Sequence, residues 1–207
     1  MNIRPSNRRI AILLSGRGSN FQAIADHIDA GKLRAEIAVV ISNRDQAPGL
    51  ALARQRGLNA LCIPSKGRQR EEFDAELVAT IRKHDVSLVV LAGFMRIFSP
   101  VFIDAFPYAI LNIHPALLPA FPGLDVQKAV LEHGVKFSGC TVHFVTGTLD
   151  DGPIVRQAVV SVQDDDTGET LSARILKEEH RIYSEAIEVV LSGKCRIEGR
   201  RVLEDKA

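Results

Sequence analysis

Short apolar, β-branched runs alternate with longer amphipathic stretches along most of the chain, a pattern that predicts βαβ units and a mostly parallel sheet. Ile10–Leu14 is the first such run. It gives way to Ser15-Gly16-Arg17-Gly18-Ser19-Asn20, after which Phe21, Ile24, Ala25 and Ile28 recur at helical spacing up to a stop at Gly31. The same reading predicts strands over 37–41 and 60–63 and a helix over 48–56 closed by Gly57. A further helix over 70–83 carries Phe73, Leu77, Val78 and Ile81 on one face. The stretch 87–92 is apolar almost throughout, as a strand covered on both faces must be, and is expected at the middle of the sheet.

Beyond it the pattern predicts a strand over 110–113, a proline-rich loop over 114–122 and a helix over 126–133. From Thr141 the periodicity changes to alternation. Runs over 141–145 and 154–162, joined by the loop Gly147–Pro153, predict antiparallel strands that extend the sheet. A long amphipathic helix over about 170–191 packs back on it, and the charged tail 196–207 is expected to form one terminal strand or fray. Residues 1–8 read as a polar extension. The expectation is one α/β domain over 1–207, with a Rossmann-like, mainly parallel central sheet, helices on both faces and an antiparallel C-terminal extension.

Composition narrows the partners. With 207 residues, 46% hydrophobic and 25% charged, the chain is globular, and its 26 Lys plus Arg nearly cancel 25 Asp plus Glu. A net charge of +1 provides no global field to recruit nucleic acid or a membrane surface, so neither is expected as a partner. No apolar stretch reaches the roughly 18–20 residues that span a bilayer, and residues 1–9 do not read as a secretory signal. Cys62, Cys140 and Cys195 are odd in number and lack C-x-x-C spacing, which fits a reducing cytoplasm and offers no zinc site. No metal is expected, and the oligomeric state is not legible.

Three stretches carry candidate chemistry. The turn Gly16–Asn20 stands between a strand and a helix, where glycines admit a ligand to the backbone and free N–H groups favour an anion. A dinucleotide fingerprint would need a third glycine where Phe21 stands, and a P-loop would need Gly-Lys-Ser/Thr, so a monophosphate fits better. A turn that needs glycine for geometry alone remains the other reading. Asn112 and His114 share one face of a strand near its carboxyl end, where an amide donor and an imidazolium suit acyl transfer; both could instead satisfy backbone groups. Asp150, in a glycine-bounded loop, offers a carboxylate to meet His114, or is simply part of a turn. Asp164-Asp165-Asp166 lacks EF-hand spacing and reads as a solvated turn that caps the last helix through Thr167 or Thr170. His27, His84, His133 and His180 read as structural helix residues, while His143 stays open because its strand leads to the Asp150 loop. No G-x-S-x-G elbow marks a serine hydrolase.

The ordered set Asn112-x-His114-Pro115-x-Leu117-Leu118-Pro119, Pro122-Gly123, Thr141–Val145 and Leu149-Asp150-x-Gly152-Pro153 resembles the folate-dependent phosphoribosylglycinamide formyltransferase family of purine synthesis. Ser15-Gly16-x-Gly18-Ser19-Asn20 and Leu91–Arg96 fit the same family, so the resemblance runs from Ile10 to about Tyr183. It implies the formyltransferase fold and transfer of a formyl group from 10-formyltetrahydrofolate, a cosubstrate, to the amine of glycinamide ribonucleotide. Asn112, His114 and Asp150 would be the catalytic trio. Arg17, Gly18, Ser19 and Asn20 would hold the substrate phosphate and Glu179 the ribose hydroxyls. Met95, Arg96, Ile97, Phe98 and Asn112 would contact the folate, and Arg70 its glutamate tail. Thr141 matches a position with a hydroxyl near a catalytic water.

The chain departs from the family pattern in the extension 1–8, in Asp151 where glycine is frequent, and in Ser184 where proline often stands. A formyltetrahydrofolate hydrolase shares the trio and is the nearest alternative, but its relatives usually carry an extra amino-terminal domain. The formyltransferase acting on initiator methionyl-tRNA normally adds a carboxyl-terminal RNA-binding domain. A noncatalytic nucleotide or folate sensor would have no use for the trio.

Overall fold

The structure is a computed structural model that describes residues 1–205. In chain order the elements are β1 (Asn2–Ile3), β2 (Arg9–Leu14), α1 (Ser19–Asp29), β3 (Glu36–Ser42), α2 (Pro48–Gln55), β4 (Ala60–Cys62), α3 (Arg70–Arg82) and β5 (Leu88–Leu91). There follow α4 (Pro100–Ala105), β6 (Ile110–His114), α5 (Val126–Glu132), β7 (Phe137–Phe144), β8 (Ile154–Ser161), α6 (Gly168–Leu191), β9 (Cys195–Glu198) and β10 (Arg201–Glu204). All ten strands form one sheet in the order β1-β9-β10-β8-β7-β6-β5-β2-β3-β4.

Five neighbouring strands, β4-β3-β2-β5-β6, are parallel, and β7 and β8 continue antiparallel from β6. The period of two in each strand splits the core into two layers. Ile10, Ile12 and Leu14 pack with Phe21 and Ile24 of α1 and with Ile182 and Ile187 of α6. Ala11 and Leu13 pack on the other face with Phe73, Leu77 and Ile81 of α3 and Phe102 of α4. Burial on both faces explains the near-continuous apolar runs of β2 and β5.

From β2 the chain moves outward to β3 and β4, then returns to β2's other side as β5 and β6. The loops after β2 and β5 therefore separate at a topological switch point, the place where open α/β sheets hold ligands. Here they remain stitched together: the Ser15 N–H donates to the Gly93 carbonyl at 3.1 Å, and the Met95 N–H donates to Ser15 Oγ at 2.8 Å.

Two expectations need correction. The tail is a hairpin of two strands turning through Gly199, whose φ of 60° suits a residue without a Cβ. Its β9 pairs with β1, so the extension is an edge strand with Ile3 buried, and Arg8 ties it to α6 by an ion pair with Glu188 at 2.5 Å. Residues 206–207 of the expected tail lie outside the described residues. The sequence pattern predicts nothing over α4, six residues long and too short to show helical periodicity. Ser99 precedes it with its N–H and hydroxyl both donated to the buried Asp74 carboxylate, at 2.6 and 2.7 Å. Phe94, Phe98, Phe102 and Phe106, four apart, form a ladder along this segment, the first three rings stacked and the last tilted. The acidic triplet is the expected turn: Asp166 accepts from the Gln163 N–H and pairs with Arg174, while Thr167 and Thr170 cap α6 reciprocally.

Candidate active site

Alternation along β6 puts Asn112 and His114 on one face, and the antiparallel register sets Asn112 opposite His143 and His114 opposite Thr141 on β7. Four polar side chains thus meet at the carboxyl end of β6. The loop 145–153 brings Asp150 over them with a backbone φ of 50°. That loop re-enters β8 through Gly152, where a Cβ would sit 1.7 Å from the Phe144 carbonyl oxygen, so only glycine fits.

His114 is 4% exposed. Its Nε2 lies 2.8 Å from the Phe121 carbonyl and its Nδ1 3.5 Å from Asp150 Oδ2. Both ring nitrogens thus face oxygens. The longer separation is an ion pair without a tight hydrogen bond. Asp150 is fixed from another side by the Gly123 N–H, which donates to Oδ2 at 2.9 Å. His143 is buried, its Nδ1 lies 2.9 Å from the Phe144 carbonyl and its Nε2 3.3 Å from Asn112 Nδ2. A neutral ring that donates from Nδ1 accepts from the Asn112 amide at Nε2, leaving the second amide hydrogen for a ligand. Burial pushes the His143 pKa down, in keeping with that neutral form.

The sign of this shift gives a stability expectation. Because the folded pKa of His143 lies below its ordinary value, its contribution is present above about pH 6.5 and is lost as pH falls through the folded pKa. Unfolding free energy should drop on acidification from pH 7.5 to 5.5, by at most about 1.4 kcal/mol per pH unit from this group. Urea midpoints for the wild type and His143→Gln at both pH values check it: the variant should show the smaller drop.

One hollow adjoins Asn112 and Asp150, and a second opens at the start of α1. The first, of about 120 Å³, is lined by Arg96, Ile97, Phe98, Asn112, His143 and Asp150 among others. The Arg96 guanidinium lies 4.9 Å over the Phe73 ring, and its Nε is buried without a partner among the described residues. The other hollow, of about 360 Å³, is lined by Arg17, Gly18, Ser19, Asn20, Arg44 and Met95 among others. Gly18, at φ 77°, presses against Gly49 so closely that a Cβ would come within 2.8 Å of the Gly49 Cα. The Gly49 N–H also donates to the Gly16 carbonyl at 3.0 Å, clasping the loops after β2 and β3 together. That clasp brings Arg44 to the cradle, a residue sequence reasoning missed.

Asn20 donates through Nδ2 to Glu179 at 2.8 Å, while its Oδ1 is buried without a partner among the described residues. Burial pushes the Glu179 carboxyl up, opposed by the Asn20 amide. Glu179 is therefore no solvent-facing helix carboxylate; it reaches the cradle from α6. His143 is the second residue the sequence left unresolved, and its pairing with Asn112 depends on register that only the folded sheet sets. Arg70 is not brought together with the rest: it begins α3, exposed, and lines neither hollow. Among the described residues no group of three His, Cys, Asp or Glu side chains is arranged to hold a metal, and no helix is long and apolar enough to cross a membrane.

The family model described as formyl transferase matches residues 8–187, and the chain belongs to that family. Within it, the chain is 42% identical over 189 residues to the phosphoribosylglycinamide formyltransferase of Escherichia coli (strain K12), covering 91% of this chain and 89% of that protein. The crystal structure of glycinamide ribonucleotide transformylase 1 from Symbiobacterium toebii superposes with a TM-score of 0.94 at 51% identity, over 97% of this chain and 95% of that one. The trifunctional purine biosynthetic protein adenosine-3 of Drosophila melanogaster is 43% identical over 92% of this chain, which spans only 14% of that protein's length. A formyltetrahydrofolate deformylase from Pseudomonas syringae pv. tomato shares the fold, with a TM-score of 0.90 over 97% of this chain and 67% of that one, at 24% identity.

Proposed function

We propose that this protein transfers the formyl group of 10-formyltetrahydrofolate to the amine of glycinamide ribonucleotide, giving the N-formyl product of purine biosynthesis. The observation that carries the reading is the convergence of Asn112, His114 and Asp150 at one hollow, with a glycine-rich cradle at the start of α1 as a second. The half-apolar cleft at Arg96, Ile97 and Phe98 takes the folate. The cradle of Arg17, Gly18, Ser19 and Asn20 at the start of α1 takes the phosphate, with Glu179 and the free Asn20 Oδ1 as acceptors for ribose hydroxyls. Met95, exposed beside Ser15, lines the phosphate cradle and reaches toward the folate. Arg70, outside both hollows, is left for the glutamate tail.

In this reading the substrate amine attacks the formyl carbon, and the carbonyl oxygen gains negative charge. Asn112 Nδ2 donates to that oxyanion, and the positive charge of the His114 imidazolium stabilises it. The Asp150 carboxylate holds the imidazolium in place and takes part in moving the amine proton to the departing folate nitrogen. Collapse of the tetrahedral intermediate breaks the bond to that nitrogen and leaves the formyl group on the substrate amine. Residues 1–207 act as one catalytic domain, and the three free cysteines suit a cytoplasmic setting.

Comparing kcat/KM for glycinamide ribonucleotide and its dephosphorylated riboside tests the substrate assignment. The ribonucleotide should be preferred by at least about a hundredfold; equal values would overturn it. Arg44, exposed and without an ion pair among the described residues, adds a second cation beside Arg17. Arg44→Gln should raise KM for the ribonucleotide about tenfold, the loss of one charge-assisted contact, with kcat nearly unchanged and no effect on the riboside.

A further inference from the structure

We infer that Gln157 and Thr141 are positioning residues for the proposed transfer, acting through the loop 115–123 that steadies His114 and Asp150; the inference rests on that functional reading. The two residues are direct cross-strand partners on β8 and β7. Thr141 is fully buried, and its hydroxyl is completely used: Oγ1 donates to the Ala116 carbonyl at 2.6 Å and accepts from the Leu118 N–H at 3.0 Å and from Gln157 Nε2 at 2.9 Å. One hydroxyl provides one donor and two acceptor sites, so none remains for a water or a ligand. Gln157 Nε2 donates a second bond to the Leu118 carbonyl at 2.9 Å.

Three bonds therefore pin residues 116–118 to the β7–β8 pair, and a fourth ties Gln157 to Thr141 within it. A few residues further on, the same loop hands the Phe121 carbonyl to His114 Nε2 and the Gly123 N–H to Asp150 Oδ2. Neither Gln157 nor Thr141 reaches the reacting atoms, yet both fix the segment that touches both ends of the His114–Asp150 pair. A small displacement of such a segment costs rate out of proportion to its effect on stability, because transfer needs the donor and the carboxylate in register.

The test uses the full chain with Gln157→Glu, which keeps the shape but removes the amide donor, and Thr141→Val, which removes the hydroxyl at equal size. Both should lower kcat about tenfold with KM for glycinamide ribonucleotide within about twofold. Thr141→Ser, which keeps the hydroxyl, should restore kcat. The His114 ring N–H resonance, protected by the Phe121 carbonyl in the wild type, should exchange at least about tenfold faster in the two loss variants. This arm reads the brace whether or not the protein turns over, so its failure is separable from failure of the functional reading. Val160→Ala, a core truncation on β8, is the control: its denaturation midpoint should fall while kcat and ring exchange hold. Wild-type kcat and ring exchange in Gln157→Glu and Thr141→Val would overturn the inference. Losses that merely follow the denaturation midpoint, as Val160→Ala defines it, would do the same.

Discussion

His114→Ala is expected to lower kcat by about a thousandfold while leaving folate affinity within about threefold of the wild type. The ring places positive charge beside the Asn112 amide, so its loss removes charge that counts in the transition state more than in the bound ground state. Folate affinity is spared because the cleft at Arg96, Ile97 and Phe98 is built from other elements. Truncation also leaves the Phe121 carbonyl without its donor and the Asp150 carboxylate facing a void, so a modest loss of stability should accompany the loss of rate. Single-turnover formyl transfer, with folate binding measured on the same preparation, separates the two effects. Full transfer by a folded variant would exclude His114 from the chemistry.

Asp150→Asn should cost about a hundredfold in kcat, with KM for the ribonucleotide little changed. The substitution is informative because of the backbone. Asp150 sits at φ 50°, and asparagine adopts that left-handed conformation as readily as aspartate, so the loop keeps its path. The asparagine oxygen still accepts from the Gly123 N–H. What disappears is the negative charge 3.5 Å from His114 Nδ1 and 3.7 Å from His143 Nε2. Alanine at this position would mix that loss with backbone strain. A kcat equal to the wild type in Asp150→Asn would show that the carboxylate contributes shape and nothing more.

What the sequence revealed follows from the range of the forces involved. The doubly buried strands β2 and β5 were legible because burial on both faces leaves an uninterrupted apolar run, and α1, α3 and α6 because one packed face imposes the helical period. Strand β1 was hidden: two residues carry no periodicity, and their place depends on β9, more than 190 residues away. Ser99-Pro100 and the Phe ladder were the local traces of α4, a helix too short to show a helical period. At the site, Asn112 and His114 could be paired because alternation on one strand is local. His143 could not, since its position opposite Asn112 is set by the register of β6 on β7. Arg44 depends on the contact of Gly18 with Gly49, and the burial of Glu179 on a hydrogen bond to Asn20 across the fold. Family resemblance named Glu179 from its place in a motif; the reason for its raised pKa lies in packing that no motif states.

The most direct test of the account follows 10-formyltetrahydrofolate carrying a ¹³C-labelled formyl group, incubated with the purified protein with and without glycinamide ribonucleotide. The account expects the label to leave the folate only when the ribonucleotide is present and to appear one-for-one as its N-formyl amide. Label released as formate at the same rate without the ribonucleotide would contradict it and make the protein a folate deformylase; label that never leaves an intact folate would contradict catalysis itself.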